Sequence, residues 1–348
     1  MPRHGLIDPK SAASGSPDRE GSDAVDRYDV IALGEPMVEF NQARDGDRSA
    51  WRQGYGGDTS NMAIAAARLG ARVAYATRVG DDAFGRLFRA LWRAEGVSED
   101  AVATDADAPT AVYFVTHDER GHAFAYLRAG SAASRLSPAN LPAGVIRRSR
   151  ALHVSGISQA ISTSACDAVF TAIGIARDAG ARVFYDPNLR PRLWPRDRAA
   201  AIARATMALS DWILPSREDA EWMFGTGEAA AVIDACRRAG ARGIVYKRGA
   251  DGCVVDDGRS RVVIGAHPVT AVDATGAGDC FDGAFAARLA AGDEPVEAAR
   301  YANAAAALAT TGYGAVDPLP RPADVDRLLR AVPRTGVPNA AGGPRGAR

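Results

Sequence analysis

The chain has 348 residues, 47% hydrophobic and 24% charged, enough for one large α/β domain with an insertion or for two domains. Its 42 Lys and Arg balance its 42 Asp and Glu, so no basic excess points to nucleic acid or an anionic membrane surface. Four scattered cysteines without a Cys-x-x-Cys pair read as reduced thiols, the histidines lack metal-ligand spacing, and no apolar run is long enough to span a bilayer.

Residues 1–27 are rich in Ser, Gly, Asp and Pro and lack the apolar core of a signal peptide, so they read as a disordered leader. Residues 333–348 read as a disordered tail of the same kind. Between them YDVIALGEP is a buried strand ending in a turn, SNMAIAAARLG a small-residue helix stopped at Gly70, and RVAYATRVG a second strand. DAFGRLFRALWRAEG is amphipathic, with Phe84, Leu87, Phe88 and Leu91 at helical spacing. AVYFVTHDERGHAFAYLRAG differs, and reads as two short strands around the polar turn Asp118-Glu119-Arg120-Gly121. From ALHVSG onward the strands RVFYD, WILPS and GIVYKRG alternate with helical segments. GCVVDDGRSRVVIG adds a pair of short strands, and the last third is helical. The pattern predicts an α/β three-layer sandwich with a mostly parallel central sheet over residues 28–332, and small β-sheet lid segments near 39–55 and 111–128.

On such a sheet ligands bind where the strands end, which singles out the loops GEP, SGIS, DPNLRPRLW, PSRED and KRGADG. No segment fits a Walker loop, and no G-x-G-x-x-G follows a strand. Phosphate binding therefore falls to DATGAGDCFDGAF, where Gly276-Ala277-Gly278 lead into a helix. A glycine turn there lets backbone N–H groups approach an anion, while Asp279 as a plain N-cap is the alternative reading.

The D-x-T-G-A-G-D core of that stretch, together with YGGDTSN, resembles the ribokinase-type (PfkB) sugar kinases, and the resemblance runs from Tyr28 to Ala331. It implies that Gly276, Ala277 and Gly278 form an anion hole for the transferring phosphoryl group and that Asp279 accepts the proton of a sugar hydroxyl. Beside a helix N-terminus Asp279 is expected to stay ionised. ATP and Mg²⁺ are the implied cofactors, with a monovalent cation as a further candidate. The resemblance assigns the nucleotide to Ser216, Lys247, Gly249, Ala250, Gly252, Thr275, Gly276, Gly278 and Asn303, an unrelated hairpin turn being the alternative for KRGADG.

GEPMVEF, HVSGISQAIS, DPNLRPRLW and YKRGADGC resemble the ketodeoxygluconate kinase branch. That likeness implies substrate contacts from Gly56, Gly57, Asn61, Tyr113, Tyr126, Arg128 and Arg190, besides Asp279. The planar guanidinium of arginine matches a sugar carboxylate, whereas a surface salt bridge is the alternative for Arg190. The family's N-x-x-E motif stands here as Ser216-Arg217-Glu218-Asp219, which leaves Asp219 as the metal candidate without the usual asparagine. Asp58, close to an anionic substrate, needs a partner. The expectation is a cytoplasmic kinase, homodimeric through its lid, acting on the C6 hydroxyl of 2-keto-3-deoxygluconate. The alternatives are a kinase of a neutral sugar or nucleoside (fructose, ribose, adenosine) and a non-catalytic sugar-binding protein, which would not need Asp279.

Overall fold

The computed structural model describes residues 27–43, 47–118 and 121–331. The expected leader up to residue 26, the expected tail, and Glu119 and Arg120 of the polar turn lie outside these.

Strand β1 (Val30–Leu33) is buried along its whole length, with Val30 and Ala32 in one apolar cluster and Ile31 and Leu33 in the other. That is the mark of a strand covered on both faces. The chain then passes through β2 (Met37–Gln42), β3 (Trp51–Gly56), α1 (Asp58–Arg68), β4 (Val73–Gly80), α2 (Ala83–Ala94), β5 (Val97–Ser98), β6 (Val102–Asp105), β7 (Ala111–Asp118) and β8 (Gly121–Leu127). Alternation follows in α3 (Ala143–Arg147), β9 (Ala151–Ser155), α4 (Gly156–Ala160), α5 (Thr163–Asp178), β10 (Arg182–Asp186), α6 (Arg196–Leu209), β11 (Trp212–Ile213), α7 (Arg217–Phe224), α8 (Ala229–Arg238) and β12 (Gly243–Lys247). The chain closes with β13 (Cys253–Asp256), β14 (Arg261–Ile264), α9 (Ala277–Ala290), α10 (Pro295–Ala309) and α11 (Pro322–Ala331).

The central sheet has the order β14-β13-β12-β11-β10-β9-β1-β4-β5, with β6 also on β4. It is parallel from β5 to β12 and antiparallel through β13 and β14, because a tight turn can join only antiparallel neighbours. Helices α1, α2, α9, α10 and α11 cover one face, and α3, α5, α6, α7 and α8 the other. Two readings of the sequence are corrected. WILPS contributes only the two-residue strand β11, and PSRED is no loop but the start of α7, whose first turn Ser216 caps. In α2 the residues buried deepest are Phe88 and Trp92, while Phe84, Leu87 and Leu91 only flank the core.

One contact between helices places the site. A Cβ at Gly283 of α9 would lie 2.5 Å from the Met62 carbonyl of α1, so the two backbones touch. Only glycine permits that approach. It brings the first turns of α1 and α9 side by side.

Strands β2, β3, β7 and β8 form a separate four-stranded sheet, in the order β3-β2-β7-β8. Its inner face packs Phe40 on Phe114 at 5.5 Å and on Phe84 of α2 at 5.8 Å. The opposite face carries Tyr113, Phe124 and Tyr126, and every residue of β8 is exposed. All four cysteines are buried and unpaired. Among the described residues no helix is long and apolar enough to cross a membrane.

Candidate active site

The glycine turn at the head of α9 lies at the carboxyl edge of the sheet, against Lys247 at the end of β12. Gly276 caps the helix at φ 75°, and a Cβ there would meet Ala315 at 2.9 Å. Gly278 has open space where its Cβ would be, apart from the Lys247 Nζ at 3.6 Å. The opening N–H groups of a helix lack intrahelical partners and carry the positive end of its dipole, so this turn suits a phosphate. Asp279 follows, and Asn61 of α1 donates from Nδ2 to its Oδ2 at 2.8 Å. The helix dipole does not keep this acid at an ordinary pKa. Burial, with Asp58 and Asp186 nearby and against the Asn61 bond and Lys247, pushes it up to about 7. A carboxylate near neutrality is better matched to proton abstraction than a strong acid would be.

The residues expected to meet the sugar come mostly from α1 and the small sheet. Gly57 stands at φ 102°, and a Cβ there would lie 2.4 Å from the Glu35 carbonyl. At Gly56 a Cβ would strike the Tyr113 ring at 2.6 Å, so the missing side chain lets that ring lie across the strand. Tyr113 donates its hydroxyl to Glu39 and stacks on Tyr126 at 5.8 Å. Asp58 finds its partner in Asn188, whose Nδ2 donates to Oδ2 at 2.9 Å. Asn188 holds φ 37°, the only non-glycine residue with positive φ among the described residues. Asparagine is among the few side chains found in that region, and here its backbone N–H donates to Asp186 at 3.1 Å while its side-chain amide reaches Asp58. The next turn carries Arg190, exposed and bonded only through Nη1 to the Leu189 carbonyl at 3.0 Å.

Arg128 departs from expectation. Its guanidinium is ion-paired to Glu35, whose side chain is fully buried and also accepts from Ser131 Oγ at 2.6 Å. Burial raises the Glu35 pKa although Arg128 opposes it. The charge of Arg128 is therefore balanced inside the protein and is not a free counter-charge for a ligand.

On the nucleotide side Gly249 and Gly252 both have positive φ, and a Cβ at Gly252 would sit 2.0 Å from the Ile264 carbonyl. This turn is a hairpin connection between β12 and β13, with Ala250 exposed at its tip. Three side chains expected to face ligand are engaged by the protein. The Ser216 hydroxyl caps α7, bonding Asp219 at 2.8 Å. Asn303 donates to the Gly265 carbonyl at 2.7 Å, and Thr275 donates to Asp273 at 2.7 Å. Asp219, the metal candidate, accepts the Leu189 N–H at 2.7 Å and the Ser216 N–H at 2.9 Å. It ties the Arg190 loop to α7. Among the described residues no cluster of three or more His, Cys, Asp or Glu could hold a metal.

Lys247 likewise has its ammonium engaged, 3.1 Å from Asp186 and 2.9 Å from Asp282. His153 lies 3.5 Å from the other Asp282 oxygen and is held neutral, its pKa lowered to about 4 by burial. The sequence reading missed Glu35, His153, Asp186, Asn188 and Asp282. A signal existed for Asp282, which stands three residues after Asp279 and so shares its helix face.

A model of the pfkB family of carbohydrate kinases matches residues 28–322. The 2-dehydro-3-deoxygluconokinase of Thermoproteus tenax is 34% identical, covering 87% of this chain and 94% of its own length. Fructokinase-1 of Oryza sativa subsp. japonica is 33% identical, covering 87% of this chain and 98% of its own. Among solved structures, a putative ribokinase II from E. coli in complex with ATP and Mg²⁺ superposes with a TM-score of 0.80 at 25% identity, covering 87% of this chain and 99% of that one.

Proposed function

The chain belongs to the pfkB family of carbohydrate kinases, phosphotransferases with a ribokinase-like α/β fold, and from that premise we propose that it phosphorylates the C6 hydroxyl of 2-keto-3-deoxygluconate, a small sugar acid. Kinases of this family use ATP with Mg²⁺. The observation that carries the substrate reading is Arg190. It is exposed on the loop after β10, anchored beside Asp58 through Asn188, and among the described residues it has no carboxylate partner. An unpaired guanidinium there supplies the fork that a sugar carboxylate requires.

The chain's own groups divide the chemistry. Asn61 orients the Asp279 carboxylate, which accepts the C6 hydroxyl proton as that oxygen attacks. The N–H groups of the Gly276–Gly278 turn take the growing charge on the phosphoryl oxygens. ATP supplies the phosphoryl group and Mg²⁺ neutralises its phosphates, the nucleotide lying against the Gly249–Gly252 turn. The small sheet acts as a lid that excludes water, with Tyr113 and Tyr126 over the sugar. Its exposed Trp51, Phe124 and Leu127 suit pairing with the lid of a second copy, which supports a homodimer.

A second reading, a neutral sugar such as fructose, is favoured by the Glu35–Arg128 pair, which leaves that part of the site without net charge. ADP release with Mg·ATP across ketodeoxygluconate, ketodeoxygalactonate, fructose, ribose and adenosine separates the two. Turnover with the keto acids is expected, with Arg190→Ala raising their KM by about 10- to 100-fold, the worth of a charge-assisted bond. Turnover confined to fructose would sink the sugar-acid reading.

A further inference from the structure

Under the glycine turn lies a group of ionisable side chains that neither sugar nor nucleotide is proposed to touch. His153 comes from β9, Asp186 from the end of β10, Lys247 from the end of β12 and Asp282 from α9. The Lys247 ammonium bridges the two carboxylates at 3.1 and 2.9 Å, its side chain only 11% exposed. It also lies 3.6 Å from the place a Gly278 Cβ would occupy, directly against the residue that precedes Asp279. Burying three such groups gains little net stability, because loss of hydration offsets much of their attraction. What the arrangement does supply is an ammonium held in a fixed position beneath the reacting turn.

We propose that Lys247 is a positioning residue for phosphoryl transfer, its clamped ammonium under Gly278 keeping the Asp279 carboxylate ionisable among other acids, and that it is not a ligand of the nucleotide. The inference deepens the kinase reading and rests on Asp279 as the base. The groups facing Asp279 come from every surrounding element. They are Asp58 and Asn61 of α1, Asp186 of β10, Lys247 of β12, Cys280 and Asp282 of α9, and Tyr113 of the small sheet. His153 of β9 touches Asp282 as a neutral ring, and Asp219 of α7 acts on Lys247 and Asp186. Of these groups Lys247 alone is a cation, and Asp186 and Asp282 hold it protonated against its burial.

The sign follows directly. Without the ammonium, ionised Asp279 loses its one attractive partner among these charges, so its proton affinity rises. Without the Asp282 charge the ammonium is less compensated, and the affinity of Asp279 falls. The experiment is the pH profile of kcat/KM at saturating Mg·ATP, using whichever sugar the native enzyme turns over. The native acid limb is expected near 7. In Lys247→Met it should move up by roughly one pH unit, the size of a nearby-charge effect, and in Asp282→Asn it should move down. A residue that merely supports the fold would lower kcat without moving the limb, and an unmoved limb in both variants overturns the proposal. So do shifts in the same direction. Should Lys247→Met fail to fold, Lys247→Gln, which keeps much of the length without the charge, takes its place, since Asp282→Asn also removes a charge acting directly on Asp279. Carboxyl-carbon NMR titration of Asp279, assigned by its loss in Asp279→Asn, reads the same shift without turnover. Activity on fructose in place of the keto acid would overturn the substrate reading and leave this test intact.

Discussion

Beneath the Gly276–Gly278 turn, His153, Asp186, Lys247 and Asp282 are closed off from water and locked to one another across four elements of the central domain. Across the cleft, β8 exposes all of its residues, and its aromatic side chains stack on each other instead of entering a core. The floor holds charge in place before substrate arrives, as electrostatic catalysis requires. The overhanging sheet keeps its apolar surface open to a ligand or a second copy. On the proposed reading, the buried charges lie beneath the group that reacts and the small sheet is the surface that encloses. Substitutions in the two regions should fail differently, in turnover below and in binding above.

The largest effect is expected at Asp279. Asp279→Asn should lower kcat by about 10³-fold, within the range for removing a positioned general base, while calorimetric sugar affinity stays close to native. If binding vanishes and the residual turnover is native-like, the floor is a binding surface and the contrast collapses. Next in size is Arg128→Ala, at the seam between the regions. It strands the buried Glu35 carboxylate, and denaturant unfolding should show a loss of about 3 kcal/mol. Replacing both partners, Glu35→Gln with Arg128→Ala, should recover much of it. Equal losses in the single and double variants would show the pair to be of no consequence to stability.

The seam also shows which features the sequence made legible. Alternation of strands and helices revealed the sheet because each buried strand is bounded by turn residues and each helix by its period. The glycines at 56, 57 and 276 were legible because each position needs a missing side chain. Charge partners were not. Arg128 reads as a free cation in FAYLRAGSA, and only the fold brings Glu35, 93 residues earlier in the chain, against it. Asp58 likewise waits for Asn188 from a loop 130 residues away. Ser216 and Asp219 matched a ligand motif, yet local hydrogen bonding uses them to cap α7. Spacing thus reports groups that serve their own element, whereas pairing between elements depends on tertiary approach.

The smallest stability effect, and the sharpest check on the contrast, lies at Phe124. Its ring is 39% exposed, stacked on Tyr126 at 6.0 Å and edge-on to His122 at 5.2 Å. Those two neighbours belong to the same exposed strand and the third, Tyr113 of β7, lies 6.3 Å away, so truncation opens no cavity in the central core. Phe124→Ala should change unfolding free energy by no more than about 0.5 kcal/mol, as for other surface positions. If the strand encloses sugar or pairs with a second copy, the same substitution should raise KM or weaken self-association several-fold by sedimentation, with kcat at saturation nearly native. A large loss of stability would place Phe124 in a packed core and remove the basis for calling the sheet an adaptable lid. Native KM and native assembly would show that this face encloses nothing. Stability held constant while binding moves is the signature that separates an enclosing surface from a reacting floor, and Phe124 can show it without touching the charges below.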